Sequence, residues 1–201
     1  MNSKSKSRPK IRANRSGQFN LLPPAQKAYG GELLKTRKGR ASGRPLATRN
    51  SMHLVMRSSK ATGPHSFLRP KNKANIKVIV HRFARKYGVK IFSLANVGNH
   101  LHIHMQLSNR HGYRPFIRAI SASIAMAVTG ASRWAPLKKS AKDRFWDYRP
   151  FTRIVIGFKA MLRLSDYIRI NQLEGIGFKR AKAVYLVKKS WAGQLRSVNS
   201  S

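Results

Sequence analysis

The chain contains no cysteine. Disulfides, thiolate metal sites and cysteine nucleophiles are therefore excluded. Acidic residues are also scarce, because 5 Asp+Glu stand against 42 Lys+Arg and give a formal net charge of +37 at pH 7. Such a chain repels itself unless a polyanion neutralises it, so nucleic acid is the expected partner and an anionic membrane surface is the weaker alternative.

Long apolar runs are missing as well. No stretch approaches the roughly 18 consecutive apolar residues of a membrane-spanning helix, and the basic N-terminus lacks the apolar segment of a secretory signal. We therefore expect a cytoplasmic protein that does not bind membranes. The sequence has no glycine-rich phosphate loop and no G-x-S-x-G turn, which argues against a P-loop nucleotidase and a serine hydrolase.

The length and the charge distribution suggest one folded domain with basic extensions. A chain of 201 residues with 41% hydrophobic residues has enough apolar material for one core. Residues 1–50 carry 13 Lys+Arg, a single acid and little hydrophobic periodicity. We predict a basic, disordered arm over residues 1–50, a folded domain over residues 51–176 and a basic C-terminal extension over residues 177–201.

Hydrophobic periodicity within the predicted domain alternates between strand and helix patterns. The order is β-α-β-β-α-β-α, which predicts an α+β fold with a ferredoxin-like, split βαβ antiparallel sheet and one added helix. We expect helices on one face of the sheet and an open second face. The predicted elements are a strand at 52–57, a helix at 71–87, strands at 89–95 and 99–107 joined as a hairpin, a helix at 114–129, a strand in the second half of 144–156, a helix at 158–174 and a short helix around 179–189.

The third predicted strand carries an unusual row of histidines. Alternate side chains of a strand point to opposite faces, so His100, His102 and His104 share a face with Gln106, while the other face is mostly apolar. Neutral imidazole is a common ligand of divalent metals, which favours a metal site here. A solvated polar face explains the same alternation without a metal, and the spacing alone leaves both interpretations open.

The third predicted helix carries a second group of polar residues. Arg163, Tyr167, Asn171 and Glu174 are spaced by 4, 4 and 3 residues and share one helix face. A tyrosine hydroxyl and an asparagine carbonyl there could act as nucleophile and metal ligand, although an ordinary surface tyrosine fits the pattern too. The apolar residues predicted to form the buried side are Met161, Leu164, Ile168 and Leu173.

These motifs resemble those of the IS200/IS605-like single-tyrosine (Y1) HUH transposases. Asn99-His100-Leu101-His102 resembles their His-hydrophobic-His motif, and the segment from Tyr167 to Asn171 resembles their catalytic helix. The segment 52–57 is similar to the family's first strand, and residues 145–147 to the segment before its last strand. The resemblance covers residues 50–176, and the basic extensions are similar to those of the REP-associated tyrosine transposase branch.

The resemblance implies a DNA transposition enzyme with a tyrosine nucleophile. It implies that Tyr167 attacks single-stranded or hairpin DNA to form a 5′-phosphotyrosine intermediate. It also implies that His100, His102 and Asn171 bind Mg²⁺ or Mn²⁺, and that the enzyme is a homodimer on DNA in the bacterial cytoplasm. His104 departs from the family pattern, which has an apolar residue there. The residues that we predict to contact DNA are His104, Arg163, Arg57, Arg149 and Arg153.

Two other functions are consistent with the composition. A non-catalytic nucleic-acid-binding protein, such as a ribosome-associated protein or one derived from a domesticated transposase, would suit the charge and the split βαβ sheet. A histidine-rich metal-binding module would explain the histidines but not the charge. The nucleic-acid-binding alternative predicts that Tyr167→Phe has no effect on the activity of the protein in the cell.

Overall fold

The computed structural model describes residues 29–30, 44–132 and 144–198. Short 3₁₀ turns at Gly63–His65 and Arg110–Gly112 connect the larger elements. The strands are β1 (Tyr29–Gly30), β2 (Met52–Arg57), β3 (Val89–Asn96), β4 (His100–Leu107) and β5 (Phe151–Ile154). The helices are α1 (Pro70–Lys86), α2 (Tyr113–Thr129), α3 (Phe158–Gly175) and α4 (Arg180–Val198).

The sheet confirms the predicted α+β fold. Its strand order is β1-β5-β2-β4-β3, and every neighbouring pair is antiparallel. Strands β2 to β5 alone give the order of a split βαβ sheet, with the first and third strands at the centre. The two-residue strand β1, which was not predicted, adds to the free edge of β5 through the pairs Tyr29↔Arg153 and Gly30↔Thr152.

The predicted hairpin of β3 and β4 places the histidines at the centre of the sheet. Val97 N donates to His100 O at 3.0 Å and closes the turn. Gly88, at φ +63°, lies between α1 and β3 in the left-handed conformation that the predicted helix end requires. On its other side, strand β4 pairs with β2, so that His102 lies opposite Val55 and His100 lies opposite Arg57.

The main hydrophobic core lies between one face of the sheet and helices α1 and α2. Alternate residues of β2 and β4 point into it, as their period of two requires. The helices contribute residues spaced by three and four positions. The fully buried side chains of this core include Met52, Leu54, Leu101, Ile103 and Met105 from the strands and Ile76, Val80, Phe116, Ile120 and Ile124 from the helices.

The expectation of an open second face is wrong. Helix α3 packs across part of this face. Leu164 and Ile168 form a small core with Ala95 of β3 and Val155. Since α1 and α2 already cover the opposite face, this is the face on which the apolar stripe of α3 can be buried. Near the end of α3, a Cβ on Gly175 would collide with the carbonyl oxygen of Asn96, so glycine permits the close approach of helix and strand.

Two residues of α3 lie opposite to their predicted sides. Met161 is 37% exposed, although the pattern assigned it to the buried side. Asn171 is only 5% exposed and shares the sheet-facing side with Leu164 and Ile168, although the pattern assigned it to the polar side. The buried stripe of α3 therefore contains Leu164, Ile168 and Asn171, because the helix packs on β3 of the sheet and on α4.

The chain just before β2 runs along the sheet. Arg44 Nη1 donates to Pro150 O at 2.6 Å and to Thr152 Oγ1 at 2.9 Å, and Gln106 Nε2 donates to Thr48 O at 2.9 Å. Residues 44–50 therefore contact the folded part, while the division into three segments at residues 50 and 176 stays a prediction. The rest of the predicted arm, apart from residues 29–30, lies outside the described residues.

The C-terminal helix is longer than the short helix predicted around residues 179–189, since α4 extends to Val198. Among the helices in the described ranges, none is both long enough and apolar enough to cross a membrane. Residues 133–143, between α2 and β5, lie outside the described part of the chain.

Candidate active site

A cavity of about 950 Å³ lies between the second face of the sheet and the first half of α3. Strand β4 contributes His100 and His102, and α3 contributes Tyr167. The Tyr167 and His102 rings meet edge to face, with centroids 5.2 Å apart, and the His100 and His102 centroids are 4.9 Å apart. Residues predicted from two distant motifs thus line one cavity.

The cavity is strongly cationic. Of the residues predicted to contact DNA, four line it, and the unpredicted Lys159 joins them. These five basic residues are all exposed. The described residues that line the cavity include no Asp or Glu. Such a surface attracts phosphate. The basic residues are Arg57, Arg149, Arg153, Lys159 and Arg163.

Asp147, which precedes the cavity residues Tyr148 and Arg149, serves a structural purpose. Asp147 Oδ1 accepts hydrogen bonds from the backbone N and the hydroxyl of Ser59, both at 2.8 Å. Its Oδ2 lies 3.6 Å from Arg57 Nε, and its backbone N donates to Arg57 O at 3.0 Å. These contacts fasten the segment before β5 to the end of β2, which places Tyr148 and Arg149 at the cavity.

The imidazoles of the cavity are held in the neutral form. Burial, followed by the neighbouring His53 and His100, lowers the pKa of His102 to about 3. Burial, with smaller effects from His104 and Arg153, lowers the pKa of His53 to about 4. Burial and the Arg57 charge also lower the pKa of His100. Near pH 7 these rings therefore offer lone pairs rather than positive charge.

The ring nitrogens of His100 and His102 are suitable ligands for a divalent metal. His102 Nε2 is buried and has no hydrogen-bond partner, which leaves an unused donor atom in the wall of the cavity. His100 Nδ1 lies 2.6 Å from Asn99 Oδ1, which orients that ring as outer-shell partners orient metal ligands. Within the described ranges no three His, Cys, Asp or Glu residues form a metal cluster.

Asn171 and His104 are not among the residues that line the cavity. Asn171 lies one turn after Tyr167, and its Nδ2 donates to the Tyr167 backbone carbonyl at 2.6 Å. His104 is 4% exposed, with its Nε2 2.8 Å from Ser51 Oγ and its ring packed against Phe92. The predicted DNA contact by His104 and the predicted metal bond of Asn171 both stay predictions.

Sequence reasoning missed three polar residues of the cavity, namely His53, Tyr148 and Lys159. His53 lies in a run of buried residues, so the alternation that revealed the other histidines is hidden there. Its place on the histidine face, beside Val55, follows from the register in which β2 pairs with β4, which the sequence pattern does not show. Tyr148 and Lys159 carry no local signal beyond their proximity to β5 in the sequence.

Comparison with known proteins assigns the fold. No protein-family model matches the sequence, and no curated protein matches it. A solved structure of a REP-associated tyrosine transposase bound to a REP hairpin superimposes with a TM-score of 0.51 at 16% identity, over 69% of this chain and 74% of that one. This chain has the fold of that transposase.

The tyrosine transposase fold agrees with the strand order and helix positions described above. A second structure, assigned as a transposase from Deinococcus radiodurans R1, is 20% identical over 68% of this chain and 98% of that one, with a TM-score of 0.39. That superposition is too loose to contribute to the assignment. The transposase fold carries no activity by itself, so the function depends on the site.

Proposed function

We propose that this protein is a DNA transposition enzyme that cleaves and rejoins single-stranded DNA through Tyr167. The observation that carries the proposal is the convergence of Tyr167 with two neutral imidazoles in a cationic cavity. A tyrosine, a pair of metal-ligating groups and a surface for phosphate are the parts that phosphodiester cleavage with a covalent intermediate needs. The likeness to a hairpin-bound transposase structure supports the same reaction class.

Tyr167 is the proposed nucleophile. Its Oη would form a bond to phosphorus while the bond from phosphorus to the 3′ oxygen breaks, leaving a 5′-phosphotyrosine and a free 3′-OH. The phenolic proton leaves and the departing 3′ oxygen gains one, so the charge balances. Rejoining reverses the step with another 3′-OH, which agrees with the lack of any nucleotide-binding motif in the sequence.

His100 and His102 are the proposed ligands of Mg²⁺ or Mn²⁺, and Asn171 is the proposed third ligand. A bound divalent ion would polarise the scissile phosphate and stabilise the charge of the transition state. Burial keeps the two imidazoles neutral, as ligation requires. Asn171 would have to turn its amide oxygen toward the cavity, and its burial on the sheet-facing side of α3 is compatible with this.

Arg57, Arg149, Arg153 and Arg163 are the proposed DNA contacts, and Lys159 joins them. Guanidinium groups bind phosphate in a bidentate manner, which suits a strand that must be held in register at the scissile position. Single-stranded or hairpin DNA is the proposed substrate. The proposed enzyme acts as a homodimer on the DNA of a bacterial cytoplasm.

The decisive experiment looks for a covalent protein–DNA adduct. The full chain is incubated with labelled hairpin oligonucleotides, taken from repeats that flank the gene, in Mn²⁺ or Mg²⁺, and the products are separated on denaturing gels. We expect an adduct in the wild type, none in Tyr167→Phe and none after chelation of the metal. Tyr185→Phe is the matched control, because Tyr185 is an exposed tyrosine of α4 outside the cavity, and it should form the adduct normally.

Tight DNA binding without an adduct on any of these oligonucleotides would contradict the proposed enzyme. That result would favour the non-catalytic nucleic-acid-binding protein. An adduct that persists in Tyr167→Phe would contradict the assignment of the nucleophile alone.

A further inference from the structure

His53 makes the one polar contact described for His102. His53 Nε2 and His102 Nδ1 lie 3.1 Å apart, and the two rings are nearly parallel, at 17°, with centroids 5.3 Å apart. Both residues are buried, at 9% and 3% exposure. The His53 ring also meets Tyr167 edge to face, with centroids 6.0 Å apart. His53 thus touches both the proposed nucleophile and a proposed metal ligand.

A hydrogen bond between two neutral imidazoles fixes both tautomers at once. One ring must donate and the other accept, because each neutral imidazole has one N–H and one lone pair. If His102 Nδ1 donates to His53 Nε2, the lone pair of His102 is on its Nε2 atom. This atom is buried and has no hydrogen-bond partner. If His53 donates instead, His102 Nε2 carries a proton that points into the cavity and blocks ligation.

The chain around His53 holds the pair in place. In the register of the sheet, His53 lies opposite His104 on one side and opposite Arg153 on the other, while His102 lies opposite Val55. His53 therefore reaches His102 diagonally across the β2–β4 ladder, where side chains up to one step apart still touch. A position at the centre of the sheet allows neither ring much freedom to turn away.

We propose that His53 is a positioning residue that accepts the His102 Nδ1 proton and so keeps the Nε2 lone pair of His102 directed at the metal position. The inference deepens the proposed function and rests on it for the metal. The tautomer itself is a property of the metal-free protein. Outer-shell partners of this kind fix the orientation of a ligating histidine and raise its basicity.

The first test measures the tautomer without any metal. The full chain is labelled with ¹⁵N-histidine, and long-range ¹H–¹⁵N correlation spectra near neutral pH show which ring nitrogen of each histidine carries the proton. The His102 signals are identified by their loss in His102→Gln. We expect the Nδ1–H form of His102 in the wild type, a mixture of both forms in His53→Ala, and the Nδ1–H form again in His53→Gln, whose amide oxygen can accept the same proton.

The second test measures Mn²⁺ binding by calorimetry, with MnCl₂ as the probe and no DNA. Loss of an outer-shell partner lowers metal affinity by roughly 10- to 100-fold, and we expect a loss in that range for His53→Ala and a recovery of most of it for His53→Gln. Val128→Ala is the control for a general loss of stability. Val128 is buried in the core on the opposite face of the sheet, so its truncation weakens the fold without touching the histidines.

The outcomes separate this inference from the proposed function. A wild-type His102 with its proton on Nε2, or an unchanged Nδ1–H form in His53→Ala, would overturn the role of His53 even if the enzyme forms its adduct. A wild type that binds no Mn²⁺ and forms no adduct would contradict the proposed function, while the tautomer result would still decide whether His53 fixes His102. Equal losses of Mn²⁺ affinity in His53→Ala and Val128→Ala would also count against His53.

Discussion

At the scale of single residues, the histidine face carries three buried imidazole rings, two of which are in contact with each other. His53, His102 and His104 are each less than a tenth exposed. Burial disfavours the protonated form of all three rings, and the Arg153 charge disfavours it further for His53. The folded protein therefore resists protonation of these rings, which links its stability to pH.

The sign of this linkage follows from the two lowered pKa values. Unfolded histidine titrates near 6.5, whereas the pKa is about 4 for His53 and about 3 for His102 in the folded chain. Between these limits the unfolded state binds more protons, so the free energy of unfolding falls as pH falls below about 6.5. Each excluded proton contributes a slope that approaches about 1.4 kcal/mol per pH unit.

Urea denaturation from about pH 7 to about pH 5 checks this prediction, since carboxylates titrate mostly below that range. We expect the wild type to lose stability steadily over the range, and His53→Gln to lose it less steeply because one excluded proton is removed. Identical slopes for the two proteins would contradict the prediction.

At the scale of elements, the docking of α3 on the sheet decides where Tyr167 lies. Ile168 follows Tyr167 directly and is fully buried against β3. We expect Ile168→Ala to cost about 2–5 kcal/mol of unfolding free energy, the usual range for such a truncation. Met161→Ala, on the same helix but 37% exposed, should cost less than about 1 kcal/mol. Urea denaturation of both variants measures the difference, and equal losses would show that α3 is not held by this stripe.

The elements themselves could be predicted because their patterns are local. The helix and strand periods gave the order of the helices and of strands β2 to β5 and nearly the bounds of most of them, although α4 extends well past its predicted end. The placement of α3 on the histidine face could not be predicted from the sequence. Periodicity shows that a helix has an apolar side, but it does not show which surface that side packs against. Met161 and Asn171 were assigned to the wrong sides for the same reason.

The candidate site was only partly accessible to sequence reasoning. His100, His102 and Tyr167 come from two motifs whose order and separation resemble a known family, and the structure places them at one cavity. His53 could not be recognised, because β2 is buried on both faces and its composition does not alternate. Contacts between strands that are far apart in sequence are set by register, which only the folded sheet reveals.

At the scale of the whole molecule, positive charge dominates, and Asp147 and Glu174 each pair with an arginine close by. Asp147 fastens the segment before β5 to Arg57, and Glu174 pairs with Arg180 at 3.2 Å. A net charge of +37 attracts any polyanion over a long range. Affinity for DNA alone therefore says little about the cavity, and a useful measurement must separate the cavity arginines from the general charge.

The salt dependence of DNA binding separates the contribution of the cavity arginines from that of the overall charge. Each phosphate contact on single-stranded DNA adds about 0.7 to the slope of log affinity against log salt. Arg149→Ala and Arg163→Ala each remove an exposed cavity arginine and should lower the slope by about that amount. Arg118→Ala is the matched control, because Arg118 is exposed on α2, which packs on the opposite face of the sheet.

Fluorescence anisotropy with a labelled single strand over a series of KCl concentrations gives the slopes. We expect the two cavity variants to show a reduced slope and Arg118→Ala to show that of the wild type. A reduction of equal size in all three would mean that DNA contacts the protein through its overall charge rather than through the cavity beside Tyr167.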